Sequence, residues 1–235
     1  MDASSKHGRF YVTTVTFLVE DCLLRVPRGP LQAQSSVFRD MFLLPVGDQE
    51  EVEGLSDAKP VRLEDVKLGD FEQLLKVLFP GPDGKQELPD GYAQWTSALK
   101  LATLWEFDDA RKAAVKALKA LVVSPVDKFA LAMQYDIKDW VPPALNAIAQ
   151  RPEPIGVGDV DRLGLDVALK IASVREQAHV YSDHYKGESV RLGPRHPLLQ
   201  NFDFTPTICT MFKLPAPPQL PSPVKQIIHP DRYWE

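Results

Sequence analysis

The sequence predicts an α+β chain, with a small sheet capped by helices followed by an all-helical extension and a proline-rich tail. Three observations predict it. Runs rich in β-branched and aromatic residues occupy Tyr11 to Val26, with a brief return at Val61 to Leu63. From Leu68 onward the apolar residues recur three and four apart, as the buried face of a helix requires. Beyond Gly187 that period is lost, and nine of the 21 prolines fall between Pro194 and Pro230.

Taken in order, Tyr11 to Val19 reads as a half-buried strand, and Cys22 to Val26 as a second one, the two joined as a hairpin around Glu20-Asp21 without a turn glycine. Pro27, Gly29 and Pro30 then punctuate the chain. Leu31, followed by Val37, Phe38, Met41 and Phe42 behind the cap candidates Ser35 and Ser36, predicts two short helices. Asp48 to Asp57 holds five acidic residues and no basic one, which predicts a solvated loop or, alternatively, a contact for a basic partner. A short strand at Val61 to Leu63 leads to a helix carrying Leu68, Phe71, Leu74, Leu75 and Leu78, ended by Pro80-Gly81-Pro82.

Trp95, Ala98, Leu99, Ala102 and Trp105 predict a further helix. After a cap at Asp108, Ala110, Ala113, Ala114, Ala117, Leu118 and Leu121 predict its neighbour, whose alanine face permits close packing. Ser124-Pro125-Val126-Asp127 combines a serine cap, proline in the first turn and an acid three residues on, and so starts a helix running to about Tyr135. Pro142 and Pro143 fit only a first turn, before Ala144, Leu145 and Ile148. Val160, Leu163, Val167, Leu169, Ile171 and Val174 extend the helical pattern, which fades near Tyr185. The expected organisation is 1–123 for the sheet-containing domain, 124–186 for the helical extension and 187–235 for the extended tail. The run Pro215 to Pro223 favours polyproline II and could serve as a ligand for a proline-binding domain.

The formal charge of −5 provides no field for nucleic acid or an anionic membrane, and no stretch of about 18 apolar residues occurs. Two distant cysteines, Cys22 and Cys209, make no disulfide framework, so a reducing compartment, cytoplasm or nucleus, is expected. Cys22, inside a strand, is expected as a buried small hydrophobe. His179 and His184 are five apart beside Asp183, a spacing that fits no helical metal pair. Gly156-Val157-Gly158 lacks the third glycine and the preceding strand of a dinucleotide fingerprint. Lys112, Lys116 and Lys119, with Arg111 nearby, form a solvated basic face with no stacking aromatics. No catalytic, metal-binding or cofactor-binding residue emerges, and an enzyme is not expected.

Leu24-Arg25-Val26-Pro27-Arg28-Gly29-Pro30-Leu31, followed by Ser35-Ser36-Val37-Phe38-Arg39-Asp40-Met41-Phe42, resembles the strand, turn and helix of the BTB/POZ domain with its Phe-x-x-Met-Phe ending. Val61 to Leu63, Asp70-Phe71 and Leu74 to Phe79 are similar to that family's later strand and helix, so the resemblance spans roughly 11–123. The helices from Ser124 to about Tyr185 look like a BACK-type extension, and the whole is most similar to the BTB proteins of basidiomycete fungi. The resemblance implies a protein-interaction adaptor whose partners are a homotypic BTB surface or a cullin-like scaffold of a ubiquitin ligase, with Phe38, Met41, Phe42, Val46 and Asp48 at the partner surface; Phe38 and Met41 also read as core residues that hold their helix against the sheet, and Phe42, at the helix end, as the one shared with a partner. The alternative it implies is a transcriptional or chromatin-associated regulator built on homotypic assembly. Three positions depart from the family. Thr14 and Pro27-Arg28 stand where many members carry an Asp and a His-Arg pair. Only about ten mostly polar residues precede Tyr11, so a helix-exchanged dimer is not expected. Asp48 takes the place of a longer Glu in cullin-binding members.

Overall fold

A computed structural model describes residues 7, 11–44, 52–81, 83–121, 123–177, 179–181, 189–191 and 197–215. The chain divides into two compact units, Met1–Val122 and Val123–Glu235.

In the first unit, alternation of apolar residues produces β1 (Thr14–Val19), whose Val15, Phe17 and Val19 face the core. β2 (Cys22–Pro27) returns antiparallel, with Val19 opposite Cys22 and Thr14 opposite Pro27. In place of a glycine, Glu20 takes a left-handed φ of 53° in the two-residue turn, a conformation that costs a side-chain-bearing residue about 1 kcal/mol. β3 (Val61–Arg62) pairs parallel to β1, giving the order β2-β1-β3.

Val52 to Asp57, the described part of the acidic stretch, is not a free loop. The carbonyl of Gly54 accepts the Thr16 N–H at 2.8 Å, and Gly54 itself is buried at φ 83°. A Cβ there would stand 2.9 Å from the methyls of both Val15 and Val61, so only glycine fits between β1 and β3. Asp57 also returns to the sheet, accepting from Arg25 at 2.6 Å and, at 3.4 Å, from the hydroxyl of the buried Thr16.

The helices of this unit are α1 (Arg28–Gln34), α2 (Ser36–Leu43), α3 (Leu68–Leu78), α4 (Gly91–Leu104) and α5 (Asp108–Ala120). Ser35 accepts the Phe38 N–H at 3.0 Å and so caps α2, as its sequence suggests. Ala110, Ala114 and Leu118 are buried on α5, which packs on α4 through its small-residue face.

The second unit begins with α6 (Pro125–Gln134), where the Ser124 hydroxyl accepts the Asp127 N–H at 3.1 Å. A 3-10 turn, Lys138–Trp140, leads into α7 (Val141–Gln150), with both prolines in its first turn. Then come α8 (Val157–Leu163) and α9 (Leu165–Glu176). The helical pattern expected to run to about Tyr185 is thus broken at Gly164, whose φ of 79° closes one helix and opens the next. It ends at Glu176, after which β4 (His179–Tyr181) and β5 (Ser189–Arg191) form an antiparallel ribbon.

Nor is the whole of 187–235 an extended tail. A 3-10 turn at Pro197–Asn201 and α10 (Thr205–Phe212) pack on this unit, burying Leu199, Phe204, Ile208 and Cys209. Phe204, Ile208 and Cys209 recur at helical spacing, but over too few residues to stand out from the surrounding prolines. Most of the proline-rich run Pro215 to Pro223 lies outside the described residues.

Candidate functional site

The candidate surface is built on α2, the two ends of which are held differently. At the start of the helix, the Ser35 hydroxyl donates to the Trp105 carbonyl at 2.5 Å, and Ser35 also bridges to Phe107. Ser36 donates to the Glu106 carboxylate. Both ties reach the turn between α4 and α5, where Glu106 carries a φ of 55°.

Phe38 follows, 2% exposed, at the centre of an aromatic cluster. Its ring centroid lies 5.3 Å from Trp105 and 5.8 Å from Phe17, both edge-to-face, and 5.5 Å from Phe107. Edge-to-face packing sets the ring's positive rim against the neighbour's negative face and fixes orientation as well as distance. Phe38 therefore holds α2 against the sheet and offers no surface to a partner. Met41 is half-buried against the same core.

Toward its end the helix becomes exposed. Phe42 is half-buried, its ring 6.0 Å from Phe38, with the guanidinium of Arg28 lying 4.2 Å from the ring centroid. The same guanidinium donates to the Phe42 carbonyl at 2.8 Å, satisfying one of the carbonyls that a helix end leaves without an internal partner. Arg28 thus stacks on Phe42 while closing the helix end. Leu43 and Leu44 come next, 66% and 68% exposed. Met41, Phe42, Leu43 and Leu44 make a short apolar strip, half-buried at its first two residues and open to solvent at its last two. Val46 and Asp48, expected at this surface, lie outside the described residues.

Leu43, Leu44 and Arg28 were not among the residues that sequence reasoning marked. The signal for the leucines is the run Met41-Phe42-Leu43-Leu44, since four consecutive apolar residues cannot all face the core from one helix end. Arg28 gave no local signal, because its partner lies fourteen residues on, across two helices.

The other features carry less chemistry. An open cleft of about 450 Å³ between α3 and α4 is lined by Glu20, Lys67, Asp70, Gln73, Gln94 and Ser97, among others. Burial would raise the Asp70 pKa, but the Ser97 hydroxyl at 2.5 Å and the Lys100 ammonium at 3.0 Å outweigh it and hold the carboxyl below its usual range. Asp70 is therefore a paired carboxylate rather than a proton donor. Lys112, Lys116 and Lys119 are exposed on α5, as expected of a solvated face. Cys22 is half-buried rather than buried, because its strand lies at the sheet edge. Gly156 caps α8 and Gly158 lies in its first turn, so the pair belongs to a helix start. His184, Asp183 and the side chain of His179 are outside the described residues. Among the described residues no set of three or more His, Cys, Asp or Glu side chains is placed to hold a metal ion, and no helix is long and apolar enough to cross a membrane.

No curated protein matches the sequence. A family model described as the BTB/POZ domain, a protein-interaction module, matches residues 1–121, more than half of the chain. The matched span holds the β2-β1-β3 sheet, the helices that cap it and the open end of α2. By this match and this architecture, the chain belongs to the BTB/POZ domain family.

Proposed function

We propose that this BTB/POZ protein works as an adaptor that docks a cullin-like scaffold through the end of α2, while its helical region engages a second protein. One observation carries the reading. A helix locked by an aromatic core at one end presents Met41, Phe42, Leu43 and Leu44 at the other, with Phe42 pre-set by Arg28. Small apolar anchors of this kind, ordered before the partner arrives, supply most of the affinity of an interface. Val46 and Asp48 follow directly in sequence, and in this reading they extend the anchor and add a charge that orients the partner.

We read residues 1–123 as the BTB/POZ domain and the helices from Ser124 as a BACK-type extension of the fungal kind, acting in cytoplasm or nucleus. The matched family implies protein partners in general; the scaffold is our choice within that class.

The test uses the full chain carrying Phe42→Ala and Val46→Ala together, with circular dichroism to verify the fold. A cullin N-terminal region should bind the parent chain and lose at least about tenfold in affinity with the double variant, since truncating a central anchor costs about 2 kcal/mol. Unchanged affinity in a folded variant would sink the site assignment. Self-association of the parent chain at micromolar concentration without cullin binding would instead favour homotypic assembly in a transcriptional or chromatin setting.

A further inference from the structure

The second unit holds its own segment 199–209 in the manner of a bound peptide. Helices α6, α7, α8 and α9 pack on one another, α6 against α7 and α8, and α9 against α7 and α8, so each of them has helix partners besides this segment. The segment packs chiefly on two of them. Its 3-10 turn touches α7, and α10 touches α7 and α9.

Two side chains one helical turn apart on α7 contact its backbone. The Asn146 carbonyl oxygen accepts the Phe204 N–H at 2.8 Å, and the Gln150 amide donates to the Phe202 carbonyl at 2.9 Å. Both side chains sit on a helix whose Val141, Ala144, Leu145, Ile148 and Ala149 are buried. Amide side chains aimed at main-chain groups two residues apart read a backbone irrespective of its sequence. Selectivity then falls to the side chains the groove swallows, Phe204 at 1% exposure and Ile208 at 0%. The Phe202 ring packs on Phe204 with centroids 4.7 Å apart, and Lys170 of α9 lies 5.6 Å from the centroid of Phe212. Lys213, at a left-handed φ of 53°, ends α10, and the Leu214 N–H returns to the Cys209 carbonyl at 2.9 Å.

We propose that the α7–α9 face is a peptide-recognition groove, closed in cis by this segment, and that it takes in trans a partner peptide with two aromatic residues at alternate positions and an aliphatic residue four further on. The pattern is that of Phe202, Phe204 and Ile208. The cis segment keeps the groove shut until a matching peptide displaces it. This inference concerns the second unit and stands apart from the proposed role of α2.

Cys209 supplies the readout. Its thiol is buried in the docked segment, and desolvation, with Asp203 nearby, raises its pKa, so it reacts slowly while the segment stays in place. In the full chain carrying Cys22→Ser, Cys209 is the sole cysteine. Maleimide labelling of that chain is followed while a synthetic peptide of residues 199–214, with Cys209→Ser, is added. Labelling should accelerate and saturate with peptide concentration, and the same peptide with Phe204→Ala should have no effect. Asn146→Ala in the chain, which removes one backbone hydrogen bond, should speed labelling about fivefold without peptide, at unchanged cooperativity of thermal unfolding. The proposal is overturned if labelling ignores the peptide at every concentration and follows global unfolding across a denaturant series, because the segment would then be ordinary core.

Discussion

In the first unit the buried centre is aromatic, with Phe17, Phe38, Phe71 and Phe107 at the middle and Trp105 against them. In the second, Phe129, Tyr135, Trp140 and Phe204 are buried among a larger number of aliphatic residues, Leu131, Leu145, Ile148, Ile171 and Val174 among them, with polar ties at the edge. Arg175, 4% exposed, donates to the carbonyls of Arg151 and Glu153 at 2.7 Å each. Arg151 in turn grips the Asp159 carboxylate with two bonds, at 3.1 and 2.7 Å. The difference lies in what fixes position. Rings that meet edge-to-face constrain one another's orientation, so the first unit holds α2 by packing. Aliphatic side chains tolerate rearrangement, so the second unit locates its 151–156 connection by charge and hydrogen bonds. A docking helix suits the first arrangement, and a groove that can exchange its occupant suits the second.

The sharpest way to break this comparison is at Phe38. Phe38→Ala should destabilise the first unit by about 3–5 kcal/mol, the usual range for a buried phenylalanine. Phe38→Leu keeps much of the apolar volume but loses the ring contacts, each worth about 0.5–1.5 kcal/mol beyond area. It should therefore remain clearly below the parent in denaturant unfolding monitored by near-ultraviolet circular dichroism. If Phe38→Leu matches the parent, ring geometry does not fix α2 and the contrast between the two cores collapses.

A smaller effect separates the units by pH. The paired hydrogen bonds from Arg151, together with the Gly156 N–H, hold the Asp159 carboxyl below its ordinary range despite burial. Because the folded pKa is depressed, this contribution is complete above the unfolded value of about 3.9 and is lost as pH falls through the lower folded one. Asp159→Asn should cost about 1–2 kcal/mol at neutral pH and flatten the acid limb of thermal stability for the second unit. The acid limb of the first unit, where Asp70 is depressed by Ser97 and Lys100, should stay as it is. Equal acid limbs in the parent and Asp159→Asn chains would show that the 151–156 connection is not held by this pair.

How much of this was legible beforehand follows the same division. β1, β2 and the caps at Ser35 and Ser124 could be read because their signals are local, an alternation of β-branched residues and a hydroxyl before a helix. The alanine face of α5 could be read for the same reason. The place of Phe42 at the helix end set it apart from Phe38 as the residue to be shared with a partner, but what holds Phe38 could not be read along the chain, since both fit the amphipathic pattern of α2. What holds it is Trp105 and Phe107, brought back by a fold that spans some 70 residues. Arg28 on Phe42 and Asn146 with Gln150 on the 202–204 backbone are likewise pairings that only the tertiary structure creates. The break at Gly164 had a visible glycine, but the continuing apolar period on either side concealed it.

The smallest stability effect is expected where the comparison says the most about function. Leu43 and Leu44 are about two-thirds exposed, so Leu43→Ser and Leu44→Ser remove little buried area and should change unfolding free energy by no more than about 0.5 kcal/mol. A core role would cost several times that. The same pair of changes should reduce binding of a scaffold at the end of α2, because exposed leucines beside a pre-set aromatic ring gain most when a partner covers them. Stability that stays constant while affinity falls would identify the strip as a surface kept for docking. A loss of stability equal to the loss of affinity would mean that the leucines belong to the fold, and that Phe42 alone faces the partner.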